Sequence, residues 1–279
     1  MATSKADLVK LAETDVIDAL TPEQFGPVLS SPPFVFVEGT FNTRDLGLVP
    51  DSPLRASYAF RSGSLTAVTD NGKAALTGKL GVKRVFDLRS PEERAHMPDP
   101  VIDGVENTWI QSSSPESKPD LNRFVAGTGE TGYKEMYLEV LEVFVDSWKV
   151  ILEHVRDRPQ DPFLVHCTAG RDRTGVIGGL LLALAGASED AIATDWQLSR
   201  IGTEPVRAML LEFAKKGTDT VDVHQPGFHN LVSLRKSCWL AFVRALEEQY
   251  GGPDKFVTDR LRFSEDDLAT IKKNLTSAP

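Results

Sequence analysis

The chain has 279 residues, with a hydrophobic fraction of 41% and 25% charged residues, which are ordinary values for a globular protein. Such a length can bury a sizeable core in one large α/β domain or in two small ones. The net charge of -9, from 31 Lys+Arg against 40 Asp+Glu, argues against the broad basic surface that binds nucleic acid. An anionic ligand must therefore be held by a few local groups.

The cysteine content and the hydropathy indicate a protein of a reducing compartment. Cys167 and Cys238 cannot build a disulfide framework, and the scattered histidines form no zinc-binding cluster, so we expect no metal and no other cofactor. The N-terminus lacks the apolar segment of a signal peptide. The longest apolar run, residues 176–187, is shorter than the ~20 residues of a membrane helix. These features predict a cytoplasmic protein without an integral membrane segment.

Both helices and strands are predicted in the first half of the chain. A helix at 6–20 and a segment rich in helix breakers at 21–33 are followed by strands at 34–37, 59–63, 82–88 and 107–110. A helix at 70–79 ends before Gly81, where a left-handed cap is expected. Residues 111–132 are rich in Ser, Pro and Gly, which predicts a long mobile loop.

The second half begins with the strongest helical pattern of the chain. Apolar residues recur every three or four positions from 133 to 155, which predicts one helix with one buried face. A strand at 163–165, a glycine-bearing turn and an apolar helix at 174–185 follow. Further helices are predicted at 189–200, 204–216, 230–250 and 265–274, with a loop at 217–228. Strands that alternate with helices indicate an α/β sheet, with a helical extension behind the turn.

The turn carries the sequence His-Cys-Thr-Ala-Gly-Arg-Asp-Arg-Thr-Gly at 166–175. Backbone N–H groups of a tight loop that opens a helix converge on one point and, with the helix dipole, bind an anion. Gly170 lets the loop curl, and Arg173 offers a planar fork of donors that matches two phosphate oxygens. The predicted phosphate-binding residues are Thr168, Ala169, Gly170, Arg171, Asp172 and Arg173.

Cys167 lies at the start of this loop, and five residues separate it from Arg173. A thiol at a helix N-terminus beside positive groups ionises more readily than a free thiol, so we expect a thiolate that attacks phosphorus. His166 is expected to orient the loop, and the Thr174 hydroxyl to hydrogen-bond the sulfur when it leaves. The alternative is a packed core cysteine, which is the interpretation favoured for Cys238 in its apolar helical stripe.

The cysteine, five residues and arginine after a strand are the signature of protein tyrosine and dual-specificity phosphatases. The extended motif at 166–175 resembles that of the atypical tyrosine phosphatases of bacteria and fungi, whose usual version reads HCxAGKDRTG. Segments at 42–47, 60–65, 86–93 and 195–199 are also similar to the family pattern, so the likeness spans roughly residues 38 to 200. Arg171 departs from it, because the family usually has a lysine there.

The resemblance implies a single phosphatase domain of residues 1–279, with a mostly parallel sheet between helices. Within it we expect an N-terminal extension at 1–33, a catalytic core at 34–187 and a helical lid or extension at 188–279. It also implies metal-free hydrolysis of phosphotyrosine, often extending to phosphoserine, phosphothreonine or phosphoinositides. The alternatives are a phosphoinositide phosphatase with the same chemistry, a catalytically inactive phospho-ligand-binding module and a sulfur-transfer enzyme. The sequence does not indicate whether the protein is a monomer or an oligomer.

The expected reaction has two steps. Cys167 attacks the phosphoryl group while Arg173 and the loop amides take the oxygen charge, and water then hydrolyses the phosphocysteine. The leaving group needs a proton from a carboxyl group. Asp172 matches the family's acid, whereas Asp87, at the end of a strand, would face the same crevice. Asp172 could instead be a helix N-terminal charge paired with Arg171. Four other charged residues are expected to fix loop geometry: Arg44, Asp45, Arg61 and Arg89.

Overall fold

The computed structural model describes residues 5–220 and 222–277. Within these ranges a central sheet has the strand order β1-β2-β5-β3-β4. The strands are β1 (Arg44–Asp45), β2 (Ala59–Ser62), β3 (Arg84–Asp87), β4 (Glu106–Trp109) and β5 (Phe163–His166). All neighbouring strands run parallel except β1, which pairs antiparallel with β2. The predicted α/β fold with a mostly parallel sheet is confirmed.

Helices flank the sheet. Those before β5 are α1 (Lys5–Ala12), α2 (Pro22–Leu29), α3 (Asp70–Ala74), α4 (Pro91–His96), α5 (Glu130–Val143) and α6 (Val145–Asp157). Those after it are α7 (Arg173–Leu184), α8 (Glu189–Gly202), α9 (Arg207–Thr218), α10 (Pro226–Val232), α11 (Lys236–Tyr250), α12 (Gly252–Lys255) and α13 (Glu265–Thr276). Residues 1–4 and 278–279 of the predicted extensions, and residue 221 of the predicted 217–228 loop, lie outside the described residues.

Strand β5 lies at the centre of the sheet, and its side chains alternate between two hydrophobic clusters. Leu164 packs with Phe60 and Val85 on one face. Phe163 and Val165 pack on the other face with α5, α6 and α7, and with side chains of α11 and α13. Residues beyond 187 therefore share the core that supports the end of β5. No helix in the described part of the chain is long and apolar enough to cross a bilayer.

The predicted strand at 34–37 is wrong. Only an isolated bridge joins Phe34 to Arg44 in the described structure, and Phe36 is 76% exposed. The neighbouring segment 21–33, expected to be irregular, instead contains α2. Its proline at the first helical position is compatible with a helix, because that N–H has no intrahelical partner.

The predicted helix at 133–155 is two helices, α5 and α6, which meet at Phe144. The periodicity continues across the break, but two carbonyls near it bond elsewhere. Trp148 Nε1 donates to the Leu141 carbonyl at 3.0 Å, and Ser113 N donates to the Val143 carbonyl at 2.8 Å. These distant partners interrupt the helix without disturbing its apolar stripe.

The predicted helix at 230–250 is also divided, into α10 and α11. The carbonyls of Ser233 and Leu234 accept from Tyr133 and Gln197, at 2.9 and 3.2 Å, so the chain leaves the helical path. Helix α12, which continues in a π-helical turn over Phe256–Arg260, was not predicted. The predicted loop at 111–132 is shorter than expected, since α5 begins at Glu130 and a 3₁₀ turn occupies Leu121–Phe124.

Candidate active site

The loop 167–172 joins β5 to α7 at the carboxyl edge of the sheet. Gly170 has a φ of 63°, in the left-handed region that favours glycine. A Cβ added at Gly170 would collide with the backbone carbonyl of Ser62 at the end of β2. The loop can therefore curl against the neighbouring strand only because position 170 is glycine, as the sequence predicts.

Carbonyl groups of the loop accept hydrogen bonds from two side chains outside it. Asn42 Nδ2 donates to the carbonyls of Ala169 and Gly170 at 3.1 and 3.0 Å, and Arg61 Nη2 donates to Gly170 at 2.7 Å. The N–H groups of residues 168–172, by contrast, donate to no acceptor in the described parts of the chain. This set of N–H groups is therefore available to an anion.

A buried ion cluster holds Arg61 in place. Asp195 of α8 accepts from Arg44 Nε at 2.7 Å and pairs with Arg61 Nη1 through its other oxygen. All three side chains are at most 1% exposed. Burial alone would raise the pKa of Asp195, but the attraction of both arginines lowers it below its usual value. Helix α8 thus fixes the position of the loop 167–172 through Asp195 and Arg61.

A second buried cluster lies beneath His166. The Asp87 carboxylate accepts from Arg89 Nε and from Arg94 Nε, both at 2.9 Å, and its side chain is 0% exposed. His166 Nε2 lies 2.9 Å from Asp99 Oδ2. Burial raises the pKa of Asp87, but the hydrogen bond from Arg89 and the charge of His166 lower it overall. Asp87, Asp99 and His166 could together ligate a metal, yet both guanidiniums already pair with Asp87.

Arg173, at the start of α7, is oriented by Glu93. Its Nη1 donates to Glu93 Oε2 at 2.7 Å and its Nη2 to Glu93 Oε1 at 3.0 Å. The Thr168 hydroxyl also donates to Glu93. Burial would raise the pKa of Glu93, but Arg173 and Thr168 lower it to about 2. Sequence reasoning missed this role, although the capping box formed by Ser90 and Glu93 gave a local signal.

Glu116 is a second carboxylate at Arg173 that sequence reasoning did not identify. Its Oε1 lies 3.2 Å from Arg173 Nε, on an edge of the guanidinium that Glu93 leaves open. Burial raises the pKa of Glu116, and Glu93, Asp172 and other carboxylates add to the rise against the opposing attraction of Arg173. It lies in the segment 111–120, where no sequence pattern marks a functional residue.

Asp172 directly precedes α7, and its carboxylate is held by two side chains instead of capping the helix. Its Oδ1 accepts from the Tyr137 hydroxyl at 2.7 Å, and Arg171 Nε donates to Oδ1 and Oδ2 at 3.1 and 3.0 Å. The Nη atoms of Arg171 donate to the Val232 and Leu231 carbonyls of α10, both at 3.3 Å. The guanidinium of Arg171 therefore binds Asp172 and α10, which leaves its backbone N–H for the predicted phosphate contact.

Cys167 is 3% exposed and lies at the polar end of a cavity of about 330 Å³. The other loop residues that line this cavity are Thr168, Ala169, Arg171, Asp172 and Arg173. Its walls are largely apolar and come from α5, α9 and α10: Met136, Val140, Leu210, Leu211, Phe213 and Leu231. Thr174 Oγ1 has no hydrogen-bond partner among the described residues, so its bond to a leaving sulfur stays a prediction.

This fold and this site together define a phosphatase. The chain belongs to the tyrosine phosphatase family, whose model matches residues 35–277. It is 30% identical over 223 residues to a tyrosine-protein phosphatase of Nostoc commune, a match that covers 78% of this chain and 74% of the relative. It is 28% identical over 210 residues to the triple specificity protein phosphatase PtpB of Mycobacterium tuberculosis, covering 65% and 75%.

A solved structure is also similar. It is the core catalytic domain of the PP-IP phosphatase SIW14 from S. cerevisiae, which is 16% identical to this chain. The match covers 57% of this chain and 86% of that domain, with a TM-score of 0.33.

Proposed function

We propose that the chain hydrolyses phosphotyrosine, and also phosphoserine and phosphothreonine, through a phosphocysteine at Cys167 and without a metal or other cofactor. The main support for the proposal is the arrangement of donors in the loop that follows Cys167. The N–H groups of 168–172 are unpaired among the described residues, and Glu93 already orients Arg173. Donors preset in this way stabilise the equatorial oxygens of a phosphoryl group without reorganising during the reaction.

The proposed reaction has two steps. The Cys167 thiolate attacks phosphorus, the S–P bond forms, and the P–O bond to the leaving group breaks as Asp172 gives it a proton. Water then attacks phosphorus and transfers a proton to Asp172, the S–P bond breaks, and inorganic phosphate leaves with the thiolate restored. His166 directly precedes the loop, with its Nε2 2.9 Å from Asp99 Oδ2, and its orienting role stays a prediction.

Asp172 is the better candidate for the acid. Its carboxyl group lines the cavity that contains Cys167 and Arg173, and its side chain is 28% exposed. The alternative, Asp87, does not line this cavity and is buried among Arg89 and Arg94. Asp87 pairs with two guanidiniums and Asp172 with one, so the charged form of Asp87 is stabilised more strongly and Asp87 is the poorer proton donor.

The substrate class follows from the walls of the cavity. Apolar side chains beyond the loop suit the ring of an aryl phosphate better than a polyhydroxylated head group, which would need polar partners. The printed names of the bacterial relatives, a tyrosine-protein phosphatase and a triple specificity protein phosphatase, support the same order of preference. The proposed partner is a phosphorylated protein in the cytoplasm, where a thiolate nucleophile stays reduced.

The proposal is tested by measuring phosphate release with a chelator present, with and without vanadate. Wild type should hydrolyse an aryl phosphate in a vanadate-sensitive manner, and Cys167→Ser should be inactive. Cys238→Ser, which alters the other buried cysteine, is the matched control and should remain active. Full activity of Cys167→Ser would overturn the mechanism. Relative rates on phosphotyrosine, phosphoserine and phosphoinositide substrates decide the substrate class, and binding without turnover would indicate an inactive module.

A further inference from the structure

A chain of hydrogen bonds connects α8 to Asp172 through α5. Trp196 Nε1 lies 2.8 Å from the Tyr137 hydroxyl oxygen, which lies 2.7 Å from Asp172 Oδ1. Both aromatic side chains are 0% exposed. An indole N–H can only donate, so the tyrosine oxygen accepts from Trp196. The single hydroxyl proton of Tyr137 is therefore directed at Asp172.

This chain distinguishes the two oxygens of Asp172. Oδ1 accepts the proton of Tyr137, whereas Oδ2 has, among the described residues, only the contact from Arg171 Nε, which both oxygens share. Burial, together with the nearby charge of Asp172, raises the pKa of Tyr137 well above its ordinary value, so Tyr137 remains a donor at neutral pH. Oδ2 is then the oxygen on which Asp172 can carry a transferable proton.

We propose that Tyr137, supported by Trp196, is a positioning residue that holds Oδ1 of Asp172 so that the leaving group receives its proton from Oδ2. This inference rests on the proposed role of Asp172 as the acid. It also gives a function to neighbouring residues of α8. Asp195 fixes the back of the loop through Arg61, and Trp196 orients the acid through Tyr137.

The test compares Tyr137→Phe with Tyr133→Phe in the full chain. Tyr133 lies one turn earlier on α5 and is equally buried, but its hydroxyl donates to the carbonyls of Leu231 and Ser233. Each substitution removes a buried hydroxyl, and only one of them touches Asp172. The readout is kcat/KM, which covers the steps up to departure of the leaving group, for two aryl phosphates: 4-nitrophenyl phosphate with a good leaving group and phenyl phosphate with a poor one.

Tyr137→Phe should lower kcat/KM for phenyl phosphate about 10-fold and kcat/KM for 4-nitrophenyl phosphate less than about threefold, because in the first step only the poor leaving group depends strongly on the acid. Tyr133→Phe should change both rates by the same factor. Trp196→Phe, which removes the donor behind Tyr137, should follow Tyr137→Phe with a smaller effect. It also provides a second variant if Tyr137→Phe does not fold, as judged by circular dichroism.

Asp172→Asn separates the two ways in which the reasoning can fail. If Asp172→Asn slows both substrates equally, the acid assignment is wrong and the inference falls with it. If Asp172→Asn selectively slows phenyl phosphate but Tyr137→Phe and Trp196→Phe behave like Tyr133→Phe, the positioning role alone is overturned. In an Asp172→Asn background, Tyr137→Phe should have no further substrate-selective effect, and an additional selective loss there would contradict the proposal.

Discussion

Asp195→Asn tests the buried ion cluster that supports the loop 167–172. The change keeps the shape of the side chain but leaves Arg44 and Arg61, at most 1% exposed, without their shared counter-charge. Removing one partner of a buried ion pair typically costs about 3–5 kcal/mol, because the remaining charge stays buried and unpaired. At roughly 2–4 °C per kcal/mol for a chain of this size, the melting temperature should fall by roughly 6–20 °C.

The matched control is Asp190→Asn on the same helix. Asp190 also pairs with two cations, Lys5 and Lys236, but its side chain is 49% exposed. Exposed pairs contribute about 0–1 kcal/mol, and the position of Asp190 in the first turn of α8 adds a similar small amount. The two contributions together come to roughly 0–2 kcal/mol, so the loss of Asp190 should lower the melting temperature by at most about 8 °C.

The assay is thermal unfolding of both variants at neutral pH, followed by kcat/KM for an aryl phosphate well below each melting temperature. Asp195→Asn should also lower kcat/KM, since Arg61 would no longer be fixed against the Gly170 carbonyl. Equal melting temperatures for Asp195→Asn and Asp190→Asn would refute the reasoning, because burial is the main difference between the two ion clusters.

Two further predictions concern the loop and its support. The pKa of Glu93 is lowered to about 2 in the folded chain, so its stabilising contribution is complete above about pH 4.5 and is lost as the pH falls toward 2. Between pH 4.5 and 2, the free energy of unfolding of Glu93→Gln should therefore fall less than that of wild type, as measured by urea titrations at stepped pH. If the difference in free energy of unfolding between the two proteins stays constant over this pH range, the assignment is contradicted. Gly170→Ala should lower kcat/KM about 10²-fold by displacing the loop from Ser62. The control is Gly186→Ala, at a position with φ of 90° and no atom within 4 Å of the added Cβ, which should retain activity. Equal losses of activity in Gly170→Ala and Gly186→Ala would mean that backbone strain, and not the collision with Ser62, causes the effect.

The elements predicted correctly are those with purely local signals. Strands β2, β3, β4 and β5 and the glycine-bearing turn follow from apolar runs bounded by turn residues, and the structure places them in one parallel sheet. The position of the proposed anion site was predictable because a cysteine, a glycine and an arginine at fixed spacing between a strand and a helix have few other uses.

The errors arise where distant residues decide the local structure. The periodicity of 133–155 does not show that Trp148 and Ser113 would take carbonyls near Phe144. The role of Glu93 depends on Arg173, which lies on another element, and Glu116 is found only when the loop that carries it is folded against the site. Such pairings depend on tertiary packing, so a single sequence without its fold cannot specify them.

The contribution of α8 to the site limits how the protein can be dissected. The segment 34–187 contains the whole motif at 166–175, yet the carboxylate that balances Arg44 and Arg61 comes from beyond it, as does the indole bonded to Tyr137. A fragment that ends at residue 187 would carry the signature without the groups that shape it. A segment that keeps this site intact must therefore be longer than the motif. Transfer of the site to another protein scaffold requires α8 as well.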